Sequence, residues 1–190
     1  FKLIDDFADE CFMPLTVGGG VKTLEDIRSL LRCGADKVAI NSCAFTNPFI
    51  IKEASQKFGS QCIVVSIDAR KVDRNQYEVF IKAGNEKTGK DPLTFAKEVE
   101  KLGAGEILLT SIDRDGTMDG YDLDLISMVT AAVSIPVIVS GGAGNYNHMA
   151  QAILDGKASA VAAASIFHFT QMTPLEAKQF LREHGVNVRM

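Results

Sequence analysis

Pro14-Leu15-Thr16-Val17-Gly18-Gly19-Gly20 and Pro136-Val137-Ile138-Val139-Ser140-Gly141-Gly142 decide the fold, because one repeats the other. The second begins 122 residues after the first (136 − 14). Each is a proline, a short apolar β-prone run and a glycine cluster, followed by a helical pattern. What comes next repeats as well: Ala39-Ile40-Asn41-Ser42 after the first copy and Ala162-Ala163-Ala164-Ser165 after the second, at a spacing of 123 (165 − 42). A weaker third echo sets Ser66-Ile67-Asp68 against Ser111-Ile112-Asp113.

Working outward, six apolar runs are each followed by a helical pattern: Pro14–Val17, Lys37–Ile40, Gln61–Ile67, Glu106–Thr110, Pro136–Val139 and Ser159–Ala162. Most are continuous rather than alternating, as expected of parallel strands buried on both faces. The helices have readable ends. Thr23, Asp91, Asp122 or Asp124, Asn145 and Thr173 read as N-caps, Pro48 and Pro92 as first helical residues, and Gly34, Gly59, Gly103, Gly156 and Gly185 as stops. Six β-α units imply a parallel sheet with right-handed crossovers. A repeat period near half of a barrel of roughly 250 residues favours a (β/α)8 TIM barrel over an open sheet. The expected organisation is one barrel domain, residues 1–190, with about six of the eight units present. The stretch between Asp68 and Asp91 is long and polar, and Tyr77–Ala83 within it alternates like a hairpin strand.

Each repeat reads as a phosphate cradle. Glycine lets the backbone approach a ligand closely, and several N–H groups can converge on one anion. Two cradles on one barrel mouth would hold a substrate with a phosphate at each end. Neither copy is G-x-G-x-x-G and there is no Walker pattern, which argues against a dinucleotide or ATP.

The 190 residues carry a net charge of −4, with 46% hydrophobic and 23% charged residues. That balance offers no basic field for nucleic acid and no membrane span. Phe1–Glu10 is too acidic for a secretory leader. The four cysteines (Cys11, Cys33, Cys43, Cys62) contain no C-x-x-C pair. They read as buried free thiols of a cytoplasmic protein, and neither a metal nor a cofactor is expected.

Among the acidic residues, Asp68 ends a strongly apolar strand at the rim where barrel catalysis occurs, and partial burial would raise its pKa toward the range useful for proton transfer. Asp113 fits a catalytic acid or a structural turn equally. Asp115 with Gly116 could bind a ligand through backbone amides. Lys37 and Glu106 begin strands and lie at the opposite, N-terminal face. His148, His168 and His184 read as packing or surface residues.

The segments PLTVGGG, GADKVAINS, FGSQCIVVSIDA, GAGEILLTSIDRDGT, SGGAG and AAASIFHF together resemble the cyclase subunit family of imidazole glycerol phosphate synthase (HisF), nearly end to end. The resemblance implies a (β/α)8 lyase of histidine biosynthesis. It would take ammonia from a glutaminase partner in a heterodimer. Its substrate would be a bis-phosphorylated formimino-ribulosyl nucleotide, converted to imidazole glycerol phosphate and aminoimidazole carboxamide ribotide. Carried over by residue, the resemblance makes Asp68 a catalytic acid/base. Gly20, Asn41 and Ser42 form one phosphate site, and Asp115, Gly116, Gly142, Ala164 and Ser165 the other. Thr110 contacts substrate in the mouth, Lys37 and Glu106 gate an ammonia passage, and Asp36 faces the glutaminase. Family members begin with two further β-α units carrying a first catalytic Asp. Phe1 falls in the helix before the third strand, so this polypeptide alone is expected to turn over weakly. Alternatives within reach are a relative serving sugar amidation for surface polysaccharide, the ribosyl-formimino isomerase, and a non-catalytic docking subunit for a glutaminase.

Overall fold

The computed structural model describes residues 2–74 and 76–189; the readings that touch Phe1 and Asn75 lie outside them. Short polar side chains set the helix starts. The side chains of Thr23, Asp91, Asp122, Asn145 and Thr173 each accept a hydrogen bond from the backbone N–H three residues on. Each such cap stabilises its helix by about 1 kcal/mol. Thr23 with Asp26 and Thr173 with Glu176 complete reciprocal capping boxes.

The strands are β1 (Thr16–Gly18), β2 (Lys37–Ile40), β3 (Ile63–Asp73), β4 (Gln76–Ile81), β5 (Glu86–Lys87), β6 (Glu106–Ser111), β7 (Val137–Ser140) and β8 (Ala160–Val161). The helices are α1 (Lys2–Glu10), α2 (Leu24–Arg32), α3 (Ser42–Thr46), α4 (Phe49–Phe58), α5 (Pro92–Lys101), α6 (Leu123–Thr130), α7 (Tyr146–Leu154), α8 (Ser165–Phe169) and α9 (Pro174–Glu183). Six strands run parallel in the order β1-β2-β3-β6-β7-β8. This curled sheet with helices between its strands is six units of a (β/α)8 barrel.

Register divides the sheet into two faces. Val38, Ile40, Ile63, Val65, Ile67, Ile107, Leu109, Val137 and Val139 share one face and are buried under the helices. They form one core with Ile27, Ile51, Phe95, Val99, Leu125 and Val129 from the helices. Lys37, Ala39, Ser66, Asp68, Glu106, Leu108, Thr110, Ile138 and Ser140 occupy the other face, the barrel interior, and are only half buried.

The structure corrects three sequence expectations. β3 does not stop at Asp68 but continues to Asp73, because β4 pairs antiparallel with its second half from Asp68↔Phe80 onward. Two five-residue helices, α3 and α8, follow β2 and β8, where the sequence shows only small-residue loops. Pro48 is the N-cap of α4 rather than its first helical residue.

The hairpin is anchored by Tyr77. Its hydroxyl donates to Asp122, 2.8 Å from Oδ1 and 3.1 Å from Oδ2, and Oδ1 also accepts from the Leu125 N–H. Burial and the Asp122 carboxylate push the Tyr77 phenol well above its ordinary range, which keeps it a donor at physiological pH. Tyr77→Phe is expected to cost about 1.5–3 kcal/mol in a denaturant titration, the loss of a hydrogen bond to a charged acceptor.

Candidate functional site

Parallel strands end at one rim, so every strand C-terminus that carries a predicted site residue lies on the same edge of the sheet. The first glycine cluster follows β1 and the second follows β7. Asn41-Ser42 follow β2, and Ala164-Ser165 lie just beyond β8. The two copies therefore flank the sheet path, with β3 and β6 between them. Asp68 and Thr110 sit in that middle as direct register partners on the interior face.

Asp68 is half buried. Its Oδ1 lies 3.3 Å from the Ser66 hydroxyl, and its Oδ2 accepts from the Asn41 amide at 3.2 Å. Burial is the main cause that raises its pKa; the nearby Asp115 charge adds to it and the Ser66 hydrogen bond opposes it. A carboxyl displaced upward holds its proton to a higher pH than a free carboxylate does, the direction that suits a group exchanging protons with a substrate.

At the first copy Gly19 and Gly20 have φ of +108° and +70°, and no atom lies within 4 Å of where a Cβ would stand. The turn is left-handed and its backbone is open to the mouth. Ser42 is held between two neighbours: its hydroxyl donates to Asn41 Oδ1 at 3.1 Å and accepts from the Lys82 N–H at 3.0 Å. Lys82 and the next residue, Ala83, have φ of +54° and +56° at the hairpin tip, a conformation that costs non-glycine residues free energy. The hairpin thus folds down onto the first cradle.

The second copy borders a cavity of about 140 Å³ lined by Asp115, Gly116, Met118, Gly142, Ala164 and Ser165 among others. That is several times the roughly 30 Å³ share of one water in the liquid. Gly142 has φ of +110° and packs against the Gly120 backbone, whose N–H donates to the Gly142 carbonyl at 2.7 Å. The Asp115 N–H is already given to the Ser111 carbonyl at 3.0 Å. Of that pair, the exposed Gly116, with φ of +78°, presents the freer backbone. The Tyr121 hydroxyl donates to the Ala162 carbonyl at 2.9 Å and fixes the end of β8 beside the cavity.

Asp113, open between two readings in sequence, is a structural tie. Its Oδ2 accepts from the Lys71 N–H at 2.8 Å, and its Oδ1 lies 3.5 Å from Arg70 Nε. In the third echo the two aspartates are not register partners: Asp68 pairs with Thr110, and Asp113 lies beyond the end of β6. The histidines pack: His148 Nδ1 accepts from the Gly144 N–H, and His184 stacks on Phe180. Of the four free cysteines only Cys43 is buried; Cys11, Cys33 and Cys62 are half buried.

At the opposite end Lys37 and Glu106 do not face solvent, as strand-start charges usually would. They form an ion pair with side chains only 27% and 18% exposed. The pair reaches over β3 across the interior face, because β3 separates β2 from β6. Asp36 Oδ2 accepts from the Leu15 N–H at 2.7 Å and clips the entry of β1 to that of β2. Sequence reading missed Ser66, Lys82 and Met118 at the rim. Ser66 lies within the predicted strand but received no site role, while Lys82 and Met118 reach the rim through turns with φ of +54° and +60°.

A parallel barrel sheet with a duplicated strand–glycine–helix motif at its C-terminal rim and a desolvated carboxylate between the copies defines an enzyme-type (β/α)8 barrel. Residues 1–173 match the family described as histidine biosynthesis protein, and the chain belongs to that family. It is similar to imidazole glycerol phosphate synthase subunit HisF of Leptospira biflexa serovar Patoc, strains Ames and ATCC 23582 / Paris. It is 50% identical to each over 189 residues, which is 99% of this chain and 74% of each relative. Among the described residues, no helix is long and apolar enough to cross a membrane.

Proposed function

We propose that the chain is the cyclase component of imidazole glycerol phosphate synthase and acts in the cytoplasm as one barrel domain beside a glutaminase subunit. The observation that carries this is the pair of glycine cradles on either side of Asp68. Two anion sites flanking one acid/base suit a substrate with a phosphate at each end. In this reading Gly20 and Ser42 take one phosphate, with Asn41 beside them. Gly116, Gly142, Ala164 and Ser165 take the other, with Asp115 at its edge, and Thr110 lines the floor between.

The chemistry is the condensation of ammonia with the bis-phosphorylated formimino-ribulosyl nucleotide, followed by ring closure and release of the aminoimidazole carboxamide ribotide. Expelling oxygen or nitrogen at each bond change requires a proton, and accepting ammonia requires one to be removed. Asp68, whose pKa burial raises, is one carboxyl that exchanges these protons. Ammonia would enter past Lys37 and Glu106, which lie on the same interior face as Asp68, and Asp36 would sit at the glutaminase side. An isomerase acting on a similar substrate needs no such passage, so the inward-facing ion pair favours the cyclase.

The test follows consumption of the nucleotide with and without ammonium, and glutamine hydrolysis by an added glutaminase subunit. Ammonium-dependent consumption and a nucleotide-stimulated glutaminase are expected. A chain that does neither contradicts the proposal.

A further inference from the structure

We infer that the Asn41 side chain is a positioning residue for Asp68 and not a ligand of the anion. This rests on the reading of Asp68 as the acid/base of the mouth. A primary amide has two N–H donors and one carbonyl acceptor. In Asn41 each of them is already used inside the protein. Nδ2 donates to the Ser66 carbonyl at 3.1 Å and to Asp68 Oδ2 at 3.2 Å, while Oδ1 accepts from the Ser42 hydroxyl at 3.1 Å.

The orientation of the amide is fixed by chemistry. Turned over, its oxygen would face a carbonyl and a carboxylate, and its nitrogen would face a hydroxyl that is already accepting from the Lys82 N–H. The first cradle can therefore take main-chain N–H groups to an anion, but no free donor from the Asn41 side chain, and the Ser42 hydroxyl turns to an anion only by releasing Asn41 Oδ1.

What Asn41 does instead is clamp the carboxylate. Asp68 Oδ2 is held by Asn41 from the end of β2, and Oδ1 lies beside Ser66 on its own strand. Thr110 on β6 and Phe80 on β4 are its register neighbours. The charged group acting on it is Asp115, beyond β6. Among these, Asn41 is the donor that reaches Asp68 from another strand. It also ties Asp68 to the hairpin tip through Ser42 and Lys82. A bond donated to the ionised oxygen favours the ionised form, so Asn41 restrains the upward drift that burial imposes.

The experiment is a carbon-13 NMR titration of the Asp68 carboxyl in the full chain, with Asn41→Leu, Asn41→Ala and Asn41→Asp compared with the unsubstituted protein. The first two remove the donor, and the third also replaces it with a charge. The acidity constant of Asp68 is expected to fall about three- to tenfold in the Leu and Ala variants and further in the Asp variant. Inorganic phosphate binding at the first cradle should stay within about twofold in the Leu and Ala variants, because no ligand has been lost.

An Asp68 titration that does not move in any of the three overturns the inference, and so does phosphate binding that collapses in the Leu or Ala variant. The titration needs no turnover. If the Asp68 shift appears in a protein with no cyclase activity, the proposed function fails and the positioning role stands.

Discussion

Asp68→Asn is expected to cut ammonium-supported turnover by about 10²–10⁴-fold, the usual contribution of a placed general acid or base. The same substitution should make the protein more stable at neutral pH. Asp68 is held above its ordinary pKa chiefly by burial. Its neutral form is therefore the one the fold favours, and its contribution to stability is fully present below the unfolded pKa of about 3.9. That contribution is lost as pH rises through the raised folded value. Asparagine keeps the shape and carries no charge, so it avoids the loss.

The stability gain should be near zero in acid and reach about 0.5–2 kcal/mol at neutrality, in the range of other single stabilising changes. In a protein of this size that is roughly 1–8 °C in melting temperature. Thermal unfolding at several pH values beside a turnover assay reads both effects. A variant that loses activity without becoming more stable at neutral pH would mean that Asp68 is not ionised against a desolvation cost.

Gly142→Ala is expected to damage the fold at the rim severely. Gly142 has φ of +110°, and a Cβ there would drive into the Gly120 carbonyl oxygen and stand 2.7 Å from its carbon. Neither is the end of a flexible side chain. Gly120 is also tied back to Gly142 by its own N–H. Backbone strain of about 1–3 kcal/mol adds to the overlap. A loss of at least about 3 kcal/mol follows, a fall of roughly 6–12 °C, and the second cavity should lose its anion with it.

Gly20, the matching residue of the first copy, makes the control. It has φ of +70° but open space around the missing Cβ. Gly20→Ala should therefore cost only the strain, about 1 kcal/mol. Calorimetric unfolding of both variants tests the contrast, and equal costs would contradict the packing described for the second cradle.

These two residues also show what was legible in the amino-acid order. The repeat of strand, glycines and small-residue loop announced a duplicated barrel rim, and both copies lie where parallel register puts them. The caps at Thr23, Asp91, Asn145 and Thr173 were readable because a cap is a local event, three residues long. The place of Asp68 at the rim was readable because a carboxylate stands out after Ile63-Val64-Val65-Ser66-Ile67, a run with four apolar residues in five.

The rest depended on contacts between distant segments. That β3 runs on to Asp73 is decided by its pairing with β4, not by its own residues. The downward fold of the hairpin is decided by Tyr77 on Asp122 and by Lys82 on Ser42, pairs 45 and 40 residues apart. The inward turn of Lys37 and Glu106, separated by 69 residues, has the same origin. Asp113 could not be distinguished from a catalytic acid until its partners Arg70 and Lys71 were known.

The central claim is that the two cradles are paired sites for one doubly phosphorylated ligand. It is tested most directly by calorimetric titration with inorganic phosphate and with a sugar bisphosphate long enough to span the mouth. Gly20→Asp and Gly116→Asp serve as single-site knockouts, because aspartate tolerates a left-handed backbone and repels an anion. The account predicts two phosphates per chain, one lost in each variant. It predicts one bisphosphate bound at least about 10²-fold more tightly than phosphate, with that advantage gone in either variant. A single phosphate per chain, or a bisphosphate that binds no more tightly than phosphate, would contradict it.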